Sequence, residues 1–127
     1  MEPPNTTPDP GLQPGLEARL EWTVGKGHLY NPGGRPGREV LSSPAMIMHM
    51  EKTAVEAVRP SLPANTATLG FHVDVKHIAP AAPGARVVTY ARLIRIDGNK
   101  LTFEVTAHEG ERLLGTGTHR RAIVPVD

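Results

Sequence analysis

Three polar residues of the 127-residue chain have side chains suited to acyl transfer: Ser43, Glu51 and His77. A carboxylate can act as nucleophile or base, an imidazole can move a proton, and a hydroxyl can hold a developing oxyanion. Glu51 and His77 occur where the surrounding pattern is apolar, although burying a charged side chain is unfavourable unless it is paired. The three residues are therefore candidates for one site at the edge of an apolar core.

Glu51 lies in a segment with helical periodicity, and the helix is predicted over residues 44–58. It follows Ile47 by four positions, so we expect it on the face that packs against a sheet. A structural alternative is an ion pair between Glu51 and an arginine such as Arg121. The predicted buried stripe is Ile47, Met50, Ala54 and Val58, and the predicted solvent side is His49, Lys52, Thr53, Glu56 and Arg59.

Ser43 belongs to the segment Ser42-Ser43-Pro44, which is typical of a helix start. A serine oxygen there accepts a backbone N–H, and proline fits the first turn. Ser43 precedes Glu51 by eight residues, which is about 12 Å along a helix axis. Free N–H groups and the positive end of the helix dipole lie beside Ser43 and can hold an oxyanion or a phosphate. Capping alone would also explain the serine.

His77 lies near the end of an alternating run over residues 66–79, which is predicted to be a strand. The residues predicted to face inward are Leu69, Phe71, Val73 and Val75, and His77 is the next position of that parity. A hydrogen-bonded core histidine is the structural alternative. We do not expect a metal site built from His72, Asp74 and His77, because His77 has the opposite parity to the other two.

The remaining pattern predicts an α+β fold. Residues 16–24 alternate as a first strand, and the Gly/Pro-rich residues 25–38 are predicted to form a binding loop or lid. Runs at 86–96, 101–107 and 113–124 predict three more strands. The four strands after the helix are predicted to form an antiparallel meander that curves around it.

Composition excludes several functions. With 14 Lys and Arg against 13 Asp and Glu, the net charge of +1 is too low for a dedicated nucleic-acid binder. The lack of cysteine excludes disulfides, thiolate zinc sites and a cysteine nucleophile. No apolar run approaches the ~20 residues of a membrane span, and no signal-peptide pattern is present, so we expect a cytoplasmic protein with no membrane partner. The Pro-rich residues 1–14 are predicted to be a mobile tail, and residues 15–127 a single domain.

These features resemble the fluoroacetyl-CoA thioesterase-like group of hotdog-fold acyl-CoA thioesterases. The resemblance extends from about Leu16 to Val124 and is strongest in three segments: LSSPAMIMHMEKTAVEAVRP, LGFHVDVKHIAPAAPG and HEGERLLGTGTHRRAIV. It implies a curved antiparallel sheet wrapped around one long central helix. It also implies a site made of a Ser or Thr at the helix start, a Glu eight residues later and a His twenty-six residues beyond that. Those positions are Ser43, Glu51 and His77.

The resemblance implies hydrolysis of a small acyl-CoA without metal or cofactor. Glu51 would be the nucleophile or the base that activates water, His77 would orient that water or protonate the leaving thiolate, and Ser43 would hold the thioester oxygen. The resemblance places Gly70 near the thioester. Apart from the resemblance, the charges of Arg120 and Arg121 could meet CoA phosphates, and a solvated pair of arginines is the alternative. The site would lie between the protomers of a homodimer, which could pair further into a tetramer.

Two departures from the group bear on specificity. Its best-known member has Thr where this chain has Ser43, and Phe side chains in the loop before the helix, where this chain reads NPGGRPGREV. A general small-acyl thioesterase is therefore the prediction. The alternatives are a non-catalytic acyl-CoA binding module and a hydratase or dehydratase on the same fold.

Overall fold

The computed structural model describes residues 11–126. In chain order its strands and helix are β1 (Glu17–Thr23), β2 (Leu29–Tyr30), β3 (Val40–Leu41), α1 (Ser43–Val58), β4 (Thr66–His77), β5 (Arg86–Asp97), β6 (Lys100–Glu109) and β7 (Arg112–Pro125). Single 3-10 turns lie at Lys26–His28 and Arg59–Ser61. None of the helices among the described residues has the length and apolarity to cross a membrane.

The main sheet has five antiparallel strands in the order β1-β5-β6-β7-β4, and α1 packs across it, mainly against β5 and β1. The α+β prediction is therefore confirmed. The prediction that all four later strands form a meander is wrong in one respect: β5, β6 and β7 are consecutive neighbours, but β4 crosses to the far edge and pairs with β7. A tight turn at Asp97-Gly98-Asn99 joins β5 to β6, with Gly98 at a φ of 64°.

Helix α1 buries a broader face than polarity predicts: Met50, Ala54 and Val58 are buried as predicted, whereas Ile47 is only half-buried. Its buried residues are Ala45, Met46, His49, Met50, Thr53, Ala54, Ala57 and Val58. His49 and Thr53, which were predicted to face solvent, are buried because their polar atoms have local partners. The Nδ1 of His49 bonds to the carbonyl of Ala45 at 2.9 Å, and its ring stacks on Trp22. The hydroxyl of Thr53 bonds to the carbonyl of His49 and to the hydroxyl of Thr89.

A register shift between Gly70 and His72 divides β4 into two parts. Directly paired residues share a face of the sheet, and Val73 pairs with His119, which in turn pairs with the core residue Phe103. Val73, Val75 and His77 therefore face α1. Before the bulge the parity is reversed, so the prediction that Leu69 and Phe71 face inward is wrong: they lie on the outer face, and Leu69 is 61% exposed.

The predicted binding loop is more ordered than its composition indicates. Leu29–Tyr30 and Val40–Leu41 pair as a two-stranded ribbon, and the backbone N–H of Ser42 donates to the carbonyl of His28 at 2.7 Å. The ribbon is thereby tied to the start of α1. At the other end of the described chain, Leu12 is half-buried and packs against the core. The rest of the predicted tail, residues 1–10, lies outside the described residues.

Candidate active site

Ser43 and His77 are brought together at the start of α1. Ser43 Oγ lies 2.8 Å from His77 Nδ1, which joins the first residue of the helix to the last residue of β4. The helix is capped by the preceding residue, since the Ser42 side chain accepts the backbone N–H of Ala45 at 3.2 Å. The capping explanation for Ser43 is therefore wrong: Ser42 fills that role, and the Ser43 hydroxyl is left to bond to the imidazole.

The Ser43–His77 pair lines an open cleft of about 640 Å³ between the β2–β3 ribbon, the helix start and the segment after β4. The lining is mostly apolar: its aliphatic side chains are those of Leu29, Val40, Leu41, Pro44, Ile78, Ala79 and Pro80. An apolar cleft with a few convergent polar groups is the usual form of a small-molecule site. The ribbon, which belongs to the predicted binding loop, supplies one wall.

His77 has one nitrogen without a partner. Its Nδ1 contacts Ser43, but its buried Nε2 has no hydrogen-bond partner among the described residues. A buried polar atom left unpaired costs about 1–3 kcal/mol. Such atoms are rare in folded proteins, and one at the wall of a cleft calls for a functional explanation.

Glu51 is half-buried on α1, at the border of the buried face. It makes no hydrogen bond or ion pair with any residue that the structure describes, and it does not contact His77 in this protomer. The alternative of an ion pair with Arg121 is also absent within residues 11–126. The charge of Glu51 nevertheless acts on its surroundings: burial lowers the pKa values of Arg121 and His119, and Glu51 partly opposes that shift.

Arg121 is buried on the helix side of β7 and is held by three hydrogen bonds. Its Nε and Nη2 donate to the hydroxyl and the carbonyl of Thr68, both at 2.8 Å, and its Nη1 lies 3.1 Å from His119 Nε2. Burial lowers the pKa of Arg121, and the nearby Glu51 opposes that shift. Gly70 leaves room for this arrangement, since a Cβ there would lie only 3.0 Å from Arg121 Nη1.

Arg120 lies on the opposite face of the sheet from Arg121. Its guanidinium stands 5.0 Å from the centre of the Phe71 ring, and its Nε donates to the Thr102 hydroxyl at 3.3 Å. The two arginines, predicted together as contacts for CoA phosphates, are not brought together by the fold.

Sequence reasoning missed Thr68 and His119, which hold Arg121. Both lie within the predicted strands at residues 66–79 and 113–124, where nothing in the sequence pattern singles them out. The parity of β7, with His119 and Arg121 two residues apart, would have placed both on one face. Among residues 11–126 no group of three or more His, Cys, Asp or Glu side chains could hold a metal ion.

Comparison with known proteins places the chain among thioesterases. The family model "FlK: Fluoroacetyl-CoA-specific thioesterase" matches residues 24–127. A fluoroacetyl-CoA thioesterase from Streptantibioticus cattleyicolor is 34% identical over 102 residues, which make up 79% of this chain and 73% of that protein.

Solved structures agree with this match. The fluoroacetyl-CoA thioesterase FlK superimposes with a TM-score of 0.81 at 28% identity, over 91% of this chain and 90% of its own. A variant of FlK in complex with fluoroacetate and CoA gives a TM-score of 0.80 at 28% identity, over 90% and 96% of the two chains. A Thermus thermophilus protein described as a thioesterase superfamily member gives 0.81 at 29% identity, over 90% and 85%. The predicted hotdog architecture is confirmed.

Proposed function

Because the chain belongs to the FlK-like family of hotdog-fold thioesterases, we propose that this thioester hydrolase converts a small acyl-CoA into a carboxylate and free CoA at Ser43, His77 and Glu51. The observation that carries the assignment of the site is the 2.8 Å contact between Ser43 Oγ and His77 Nδ1 at an apolar cleft. It places a hydroxyl and an imidazole beside the first turn of a helix, where free N–H groups stabilise negative charge.

The proposed reaction balances with water as the only co-reactant. A water oxygen forms a bond to the thioester carbonyl carbon, the carbon–sulfur bond breaks, and the CoA thiolate takes up a proton. Glu51 removes the proton from the water, or attacks the carbonyl carbon itself to form an anhydride that water then opens. His77 orients the water or protonates the thiolate, and the Ser43 hydroxyl donates to the carbonyl oxygen.

The cleft favours a small apolar acyl group. Its walls are aliphatic side chains, with Tyr30 as the one aromatic residue among the lining residues that the structure describes. Neither phenylalanine of the chain, Phe71 or Phe103, belongs to the ribbon or its connecting loop. We therefore propose a general short-acyl specificity rather than one for fluoroacetyl-CoA.

A homodimer would complete the site. Strand β4 pairs only with β7 among the described strands, and its free edge carries the exposed apolar side chains of Leu69 and Val73. Such an edge is open to pairing with a second chain. An antiparallel pair of β4 strands centred on Val73 would place His77 of one protomer beside Leu69 and Gly70 of the partner subunit. Each Ser43–His77 pair would then lie near the partner's Glu51, a carboxylate that has no hydrogen bond or ion pair among residues 11–126 of its own protomer.

The residues near Gly70 have proposed roles in substrate binding. The backbone of Gly70 would lie beside the thioester, and Arg121 would supply a fixed positive charge at the same place. Arg120, on the outer face beside Phe71, would contact a CoA phosphate only where the nucleotide leaves the cleft and runs along the surface of the sheet.

The experiment is a panel of acetyl-, propionyl-, benzoyl-, phenylacetyl-, crotonyl- and fluoroacetyl-CoA, read by thiol release. We expect the wild type to release CoA fastest from a short acyl ester, and Glu51→Gln to lower kcat by about a hundredfold or more. Glu56→Gln on the exposed side of the same helix is the matched control and should keep the wild-type rate.

Three results would contradict the proposal. Equal rates for Glu51→Gln and the wild type would remove Glu51 from the site. Binding of every ester without release of CoA would indicate an acyl-CoA binding module. Conversion of crotonyl-CoA to a hydroxyacyl-CoA with no free thiol would indicate a hydratase.

A further inference from the structure

His119 is the most deeply buried histidine of the described chain, with 1% of its surface exposed, and the mechanism above does not use it. Its Nδ1 lies 2.8 Å from the carbonyl oxygen of His72, at the β4 bulge. A carbonyl only accepts hydrogen bonds, so Nδ1 carries the proton and Nε2 of the neutral ring is an acceptor. Burial lowers the pKa of His119, which favours this neutral form.

The free acceptor of His119 is taken up by Arg121, whose Nη1 lies 3.1 Å from Nε2. With the two bonds to Thr68, one donor on each of the three guanidinium nitrogens is occupied. The guanidinium is therefore held beside Gly70, and none of its three bonds goes to Glu51.

These hydrogen bonds to Arg121 account for the lack of an ion pair between Arg121 and Glu51. Glu51 is half-buried on α1, which packs on the same face of the sheet as the buried Arg121, and a carboxylate within reach of a guanidinium favours a bidentate ion pair. Such a pair would hold the carboxylate away from a substrate. Here Thr68 and His119 compete successfully for the arginine donors, and the carboxylate stays unpaired in the protomer.

We propose that His119 is a positioning residue: as a neutral acceptor it keeps Arg121 from pairing directly with Glu51, so that the carboxylate remains available for the thioester. This inference rests on the proposed function, because it assigns Glu51 a role in hydrolysis. His72 also contributes to this arrangement, because its backbone carbonyl selects the tautomer of His119.

Two substitutions separate positioning from packing. His119→Leu replaces the imidazole with an apolar side chain of similar volume and so removes the acceptor for Arg121. We expect kcat to fall at least about tenfold while KM changes less than threefold. In His119→Gln, the side-chain carbonyl can accept a hydrogen bond from Arg121 Nη1. This variant should therefore recover kcat to within about threefold of the wild type. His108→Leu, a half-buried histidine on β6, is the matched control and should keep the wild-type kcat.

A crystal structure of His119→Leu supplies a readout that does not depend on activity. We expect Arg121 to turn and lie within 4 Å of Glu51. The proposal is overturned if folded His119→Leu retains the wild-type kcat, if His119→Gln is as impaired as His119→Leu, or if Arg121 keeps its bonds to Thr68 with Glu51 still unpaired. A wild-type protein that hydrolyses no ester would refute the proposed function, and the position of Arg121 in the variant would still decide whether His119 controls it.

Discussion

Ser42 and Ser43 have different roles at the start of α1, and this difference determines what Ser43 can do. Ser42 accepts the N–H of Ala45 and caps the helix, whereas the Ser43 hydroxyl points to His77. Sequence alone predicts a capping serine and a nearby hydroxyl at this point but does not decide which serine has which role, because either can occupy the cap. The choice depends on where His77 arrives at the end of β4, which is a tertiary fact.

Removing the Ser43 hydroxyl should impair catalysis and spare the fold. We expect Ser43→Ala to lower kcat by about 10²-fold, because an oxyanion would lose one donor. Ser43→Thr keeps the hydroxyl and should stay within about tenfold of the wild type. Steady-state hydrolysis of the best ester of the panel checks both values.

Ser42→Ala is the matched control for this pair. It should lower the free energy of unfolding by about 1 kcal/mol through loss of the cap, while the folded enzyme keeps its kcat. The assignment of the two serines would be wrong if Ser42→Ala abolished turnover and Ser43→Ala only destabilised the protein in urea titrations.

At the scale of elements, β4 connects the fold to the site. Its alternation correctly predicts a strand from Thr66, which ends at His77 rather than at the predicted residue 79, and Val73, Val75 and His77 share the helix side. The bulge between Gly70 and His72 could not be predicted, because one extra residue reverses the parity without changing the composition. In helix α1, polarity alone does not predict which residues are buried: His49 and Thr53 are polar, but they lie in the core because each forms hydrogen bonds there.

A charge at the free edge of β4 should separate the protomers. We expect the wild type to be a dimer by sedimentation or light scattering, and Val73→Lys to shift it to a monomer with little hydrolytic activity. Two lysines would face each other across the symmetric strand pair, and like charges directly opposite are destabilising.

Thr23→Lys places the same charge on β1, at the other edge of the sheet, and should leave the dimer intact. A wild-type monomer with full activity would contradict the dimer proposal, as would a dimeric and active Val73→Lys variant.

At the scale of the whole molecule, two buried histidines make stability depend on pH. Burial lowers the pKa values of His49 and His119 below the ordinary value of 6.5. Unfolding restores ordinary pKa values, so below pH 6.5 the unfolded chain binds protons that the folded chain does not. Their contribution to stability is therefore complete above pH 6.5 and is lost as the pH falls from 6.5 towards the lowered values.

We expect the melting temperature to fall between pH 7.5 and pH 5.5, and the fall to be smaller in His119→Gln, which has no titrating group at that position. Calorimetry in buffers of equal ionic strength measures both. A melting temperature that stays constant or rises over this interval would show that the two rings are not held neutral by the fold.

In the proposed dimer, each site combines Ser43 and His77 of one protomer with the partner's Glu51. The most direct test is a heterodimer of one His77→Ala protomer and one Glu51→Ala protomer, co-expressed with different tags and purified through both. Each homodimeric variant should be nearly inactive, whereas the heterodimer contains one intact site and should recover about half of the wild-type kcat per dimer. A heterodimer as inactive as its two parents would show that the three residues act within a single protomer, which contradicts the shared site.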